Sequence, residues 1–196
     1  MQSLYDWIFH QNADGSGLSL KTMGLILGTF LLVEHLWAWF KTDQAMEIAK
    51  KFPRSRAWGI VLLAICLVWS LFLAAHMDMG EFFTYRRWLL ILLPVTFVLV
   101  VSFVPEFLAV RALGTLLLLA ASPVLYAAFL QPQTSRLLLP ILAYAWIIGG
   151  MFFVGMPFLL RDGINWLTQS RGRFKFAALA GAAYGALILI FALVDY

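Results

Sequence analysis

Charge is what this chain most lacks: Asp, Glu, Lys and Arg together make up 12% of its 196 residues, about half the share carried by soluble domains. An ordinary water-soluble fold is excluded, because its surface would be too poor in charge. Cysteine is scarcer still. The single Cys66 falls in the middle of an apolar block, where it can form no intrachain disulfide and packs as a small apolar side chain. The three histidines, His10, His35 and His76, are far apart in sequence. No phosphate-cradling glycine loop, zinc-protease helix, nucleophile elbow or dinucleotide fingerprint occurs. The longest polar stretches, 1–21 and 41–57, are too short for an independent soluble domain.

What is present instead is hydrocarbon. Hydrophobic residues make up 63% of the chain, and they gather into six blocks at 22–40, 58–77, 88–104, 112–130, 137–160 and 174–194. Each is close to the ~17 to 25 residues that a spanning helix needs. A transmembrane barrel would alternate apolar and polar residues, whereas 116–121 is apolar at every position. The predicted fold is therefore all-α: a polytopic transmembrane bundle of six spans, forming one integral membrane domain over 1–196. The amino terminus has Asp6 and no Lys or Arg before Lys21, unlike a cleavable signal, so the first block is expected to remain as a genuine span.

Basic residues orient the bundle, since cytoplasmic loops carry the excess of Lys and Arg. With six spans, one side receives Lys41, Lys50, Lys51, Arg54, Arg56, Arg111, Arg161, Arg171, Arg173 and Lys175, which is ten of the 14. Lys21, Arg86, Arg87 and Arg136 fall on the other side. The expectation is a bacterial cytoplasmic (inner) membrane with both termini outside. Trp7, Trp37, Trp39, Trp58, Trp88 and Trp166 sit at or near predicted span ends, where an indole prefers the headgroup level; Trp69 and Trp146 are mid-span.

Between the first two spans, 43–52 places Ala45, Ile48, Ala49 and Phe52 on one helical face, with Pro53 as a stop. This predicts a short interfacial helix. Lys50, Lys51, Arg54 and Arg56 would face anionic lipid, or simply set the topology.

Small residues mark where helices can approach closely, because lipid supplies no hydrophobic drive for association. Gly24 and Gly28 form such a face in the first span, and Ala177, Gly181 and Gly185 form another in the last. The contacts they make could be internal or with a partner chain. Pro94 and Pro123 lie inside spans three and four, and Pro140 and Pro157 near the ends of the fifth.

Few polar groups could carry chemistry. Glu34 and His35 lie within the first span, where an ionisable group is costly. They form a proton or cation site, or else Glu34 is paired with an arginine such as Arg111 or Arg56 or stays protonated. Two-histidine haem ligation is excluded by depth: His35 is about 20 Å below the outer end of its span at ~1.5 Å per residue, whereas His76 is beside that end of the next. A single axial ligand at His35 stays open. His76, Met77, Asp78, Met79 and Glu81 form a ligand-rich stretch that matches no defined metal site and reads as a polar loop. The turn at Asn12, Asp14, Gly15, Ser16 and Gly17 is no calcium loop, with His10 and Lys21 at the first and last ligand positions. Glu106 and Arg111 are expected to neutralise each other across a turn, and Arg161, Asp162 and Gly163 to stop a helix.

Function is ranked accordingly. First comes a non-catalytic accessory or scaffolding subunit packing against other membrane chains or further copies of itself. A small-solute or ion transporter using Glu34 and His35 follows, and a membrane-embedded enzyme or metal-handling protein comes third. Lipid is the expected surroundings. Nucleic acid is not an expected partner, because the net charge of +4 follows from the loop asymmetry. No cofactor is implied.

Overall fold

The computed structural model describes residues 4–9 and 17–196 and contains no strand among them. Its α-helices are α1 Leu4–Phe9, α2 Leu20–Phe40, α3 Thr42–Lys51, α4 Arg56–His76, α5 Arg86–Phe103, α6 Leu108–Ala128, α7 Leu138–Gly155, α8 Phe158–Thr168 and α9 Arg171–Val194. Short 3-10 segments, Gly80–Tyr85 and Thr134–Leu137, lead into α5 and α7. With these included, α2, α4, α5, α6, α7 and α9 give six apolar helices of 21 to 24 residues, long enough to cross a membrane. By length and composition these six helices fit a multi-pass membrane protein. The turn with Asn12, Asp14, Gly15 and Ser16, and His10 before it, lie outside the described residues.

Local chemistry sets the helix ends. Ser19 caps α2 by accepting a hydrogen bond from the Thr22 N–H at 3.1 Å, and Ser55 does the same for Trp58 at the start of α4. Two sequence expectations fail at such boundaries. The fifth span does not reach 160: α7 ends at Gly155, and α8 begins after Pro157, which has no N–H to continue the ladder. Arg161, Asp162 and Gly163 then lie inside α8 and do not end a helix. The cause is amphipathic spacing, since Leu160, Ile164, Leu167 and Thr168 turn to one covered side while Asp162 stays exposed.

The fourth span likewise starts earlier than expected. Phe107, with φ of 53° and ψ of 32°, makes the left-handed turn before α6, and Arg111 falls in the first turn of that helix. It does not pair with Glu106. Its Nη1 donates to the Val154 carbonyl at 2.8 Å, an oxygen of the last turn of α7 that has no intrahelical partner to accept from.

Two glycine seams govern packing. Along α2 and α9, Gly28 approaches Leu189 so closely that a β-carbon would sit 2.8 Å from that residue's backbone nitrogen, and one on Gly185 would sit 2.7 Å from Leu32 N. A β-carbon on Gly24 would come within 2.9 Å of Ala192 Cβ. One on Gly181 would coincide with the His35 ring. Ala177 continues this face, half-buried. The second seam joins α6 to α7, where Gly114 and Gly150 face each other's carbonyl oxygens. Gly59 also lets α4 meet the start of α6 at Leu108 and Ala109. Between the seams a core of Met23, Leu27, Val124, Leu139, Ala143 and Ile188 ties α2, α6, α7 and α9 together. Cys66 is buried where α4 meets α6. Pro94 and Pro123 are accommodated inside α5 and α6. By contrast α5 packs chiefly on α4 and buries none of its residues.

The two ends of the bundle differ in charge. At one end Asp43 of α3 pairs with Arg171 of α9, Lys175 lies over Trp39 and Arg161 over Phe107. At the other, Tyr5 of α1 stacks on His76, Phe9 meets Tyr126 edge-on, and the Tyr196 hydroxyl donates to the Ser135 carbonyl at 2.7 Å. Trp7, Trp37, Trp39, Trp58, Trp88 and Trp166 are all exposed at the bundle surface, whereas mid-span Trp69 and Trp146 are half-buried. That contrast is what a lipid boundary would produce.

Candidate functional site

Helix α2 carries the chain's sharpest polar anomaly because its two faces are set by different needs. The side with Gly24 and Gly28 is pressed against α9. Away from it, Ile26, Phe30, Val33, Glu34 and Trp37 are exposed. Glu34 closes one end of a shallow groove formed with Leu25, Ile26, Thr29, Phe30 and Val33. It sits six residues before Phe40, about 9 Å along the helix at ~1.5 Å per residue.

No described residue forms a hydrogen bond or ion pair with Glu34. The expected pairing with Arg111 or Arg56 does not occur. Arg111 is committed to Val154, while Arg56 is exposed at the first residue of α4. The Glu34 side chain therefore faces outward, without a partner among the described residues, on a largely apolar surface.

His35 follows Glu34 in sequence but turns the other way. Its Nδ1–H donates to the Leu31 carbonyl at 2.8 Å, and its opposite edge abuts the α9 backbone at Gly181. The imidazole fills the space that the missing glycine side chain leaves. A path lined by both residues would need them on one side of α2, and they are on different sides.

The ligand-rich stretch between α4 and α5 does not converge either. His76 donates through Nδ1 to the Phe72 carbonyl at 2.9 Å, and Asp78 accepts from the Gly80 N–H at 3.0 Å. Met77 offers its carbonyl to Arg86. Among the described residues, no three His, Cys, Asp or Glu side chains come together in a way that could hold a metal ion.

At the basic end, α3 buries Thr42 and Ala45, while Ile48 is 53% exposed. Contacts with α8 and α9 set the orientation of α3, so Thr42 takes the inward place. Lys50, Arg54 and Arg56 are exposed, with no carboxylate partner among the described residues. Lys51 bonds Glu47 one turn back at 2.5 Å, and that bond holds the Glu47 carboxyl below its usual range. Asp162 is held low in the same way by its bond to Arg161.

Sequence reasoning missed three close approaches, at Gly59, Gly114 and Gly150. The available signal was a glycine inside an apolar helix, where it weakens the helix unless packing needs it. Compared with protein-family models, curated proteins and solved structures, the chain matches none.

Proposed function

We propose that the protein is a non-catalytic accessory or scaffolding subunit that packs against another membrane chain through the outward face of α2. Glu34 carries this reading. An ionisable group inside a span costs about 2.5–3.5 kcal/mol or more when it meets lipid, and such groups normally face a partner. The bundle supplies none among its described residues. A neighbouring chain that brings a Lys, Arg or hydrogen-bond donor to the same depth would remove the cost, and the groove beside Glu34 offers that chain an apolar track.

The small-residue faces at Gly24, Gly28, Ala177, Gly181 and Gly185 serve α2 and α9 within the chain, so the partner surface lies elsewhere on α2. Transport through a path shared by Glu34 and His35 has less support, since the two residues diverge. We further place the chain in a bacterial cytoplasmic (inner) membrane with both termini outside and the end bearing α3 and α8 in the cytoplasm. The excess of basic residues there supports that sidedness. Lys50, Arg54 and Arg56 are then free to meet anionic headgroups, with α3 lying at the interface.

Extraction in a mild detergent, followed by native mass measurement, tests the reading. The expected particle contains a second membrane chain or a second copy. A particle of one chain, both in detergent and after transfer to lipid nanodiscs, would overturn it.

A further inference from the structure

Because α5 leans on α4 and buries nothing, an apolar cleft of about 350 Å³ opens between α4, α5 and α6. That volume lies within the range of ordinary ligand sites. Leu63, Leu67, Phe97 and Val100 are among the residues of its wall, and Arg111 supplies its one charge.

The state of Arg111 makes the cleft more than a packing gap. One of its five donors serves Val154. Its Nε is buried with no hydrogen-bond partner, and no carboxylate among the described residues pairs with it. A guanidinium does not lose its proton. A positive charge thus borders an apolar cleft without a counter-ion, which is costly unless an anion completes it.

The shape says which kind of anion. Leu108 and Arg111 lie at the start of α6, by the membrane edge, and the lining runs along α4 from Leu63 to Ser70, about 10 Å, and along α5 from Leu93 to Val104 at its end, about 16 Å, at ~1.5 Å per residue. One leaflet of hydrocarbon is about 15 Å deep. The cleft is therefore charged near one end and apolar over the depth of an acyl chain. We propose that it binds an anionic phospholipid, with the phosphate on Arg111 and one chain between α4 and α5. This inference does not depend on the partner surface at Glu34.

The test uses delipidated full-length protein titrated with phosphatidylglycerol, with phosphatidylcholine of the same chains, and with inorganic phosphate, followed by native mass measurement and thermal shift. Phosphatidylglycerol is expected to bind about tenfold more tightly than phosphatidylcholine, because both offer a phosphate to Arg111 but the choline cation of the second cancels the net charge that the unpaired guanidinium calls for. Arg111→Gln removes that preference and Arg111→Lys retains most of it. Val100→Trp leaves the arginine in place and fills the cleft, so it weakens both lipids, and it keeps the test open if Arg111→Gln does not fold. Equal affinity for the two lipids in the natural protein, a preference that survives Arg111→Gln, or unaltered binding in Val100→Trp would each overturn the proposal. So would inorganic phosphate stabilising the protein as well as phosphatidylglycerol does, because the site would then take a soluble anion.

Discussion

Gly185→Leu is expected to leave little folded protein, while Gly163→Ala, also within a helix, is expected to melt at or slightly above the natural protein. The difference lies in what a new side chain meets. At Gly185 a β-carbon alone would fall 2.7 Å from Leu32 N, 2.9 Å from Leu31 Cβ and 3.1 Å from Gly28 O. Two of those three atoms are backbone, so relief requires α2 and α9 to separate along their whole shared seam. Even Gly185→Ala should cost about 1–3 kcal/mol, the ordinary penalty of overpacking, and leucine adds three more carbons. At Gly163 nothing lies within 4 Å, and alanine is intrinsically better than glycine in a helix by up to about 1 kcal/mol. Thermal unfolding in mild detergent, read by loss of helical circular dichroism, distinguishes the two. A Gly185→Leu variant that melts like the natural protein would show that α2 and α9 do not pack as described.

Glu34→Leu is expected to act with opposite signs on the chain and on its assembly. In a single chain the carboxylate is an unpaired polar group on a surface that meets hydrocarbon, so replacing it removes up to about 2.5–3.5 kcal/mol of cost and raises thermal stability in lipid nanodiscs. In the assembly the same change deletes the group that a partner's donor would meet. The particle should then fall to one chain. Glu34→Gln keeps hydrogen-bonding atoms and loses the charge, and should retain part of the association. Persistence of the heavier particle in Glu34→Leu would refute the role given to this residue, and a loss of stability in the isolated chain would mean that Glu34 has a partner within the bundle.

The six spans were legible because hydrophobic length is a property of the linear chain, and the tryptophans at their ends mark the same boundaries independently. The directions of side chains were less legible, although a clue existed for α2. At about 100° per residue, His35 comes round to within about 20° of Gly28, whereas Glu34 lies about 120° away. Taking Gly28 as the packed face would have sent the histidine inward and the carboxylate outward. Arg111 was misjudged for a different reason. Its role depends on the end of α7, a segment 43 residues further along, and no local pattern reports such a meeting. Helix α8 was missed because an adjacent charge pair and a glycine resemble a terminus when the covering surface of α3 is not in view.

One flank of the molecule hangs from a single joint. Helix α5 is attached chiefly along its contact with α4, so whatever wedges into or withdraws from that joint can tilt α5 while leaving the four-helix centre undisturbed. The bundle is thus unevenly joined: backbones meet through glycine at its centre, while its edge at α5 is held along one contact, with an arginine beside an apolar gap.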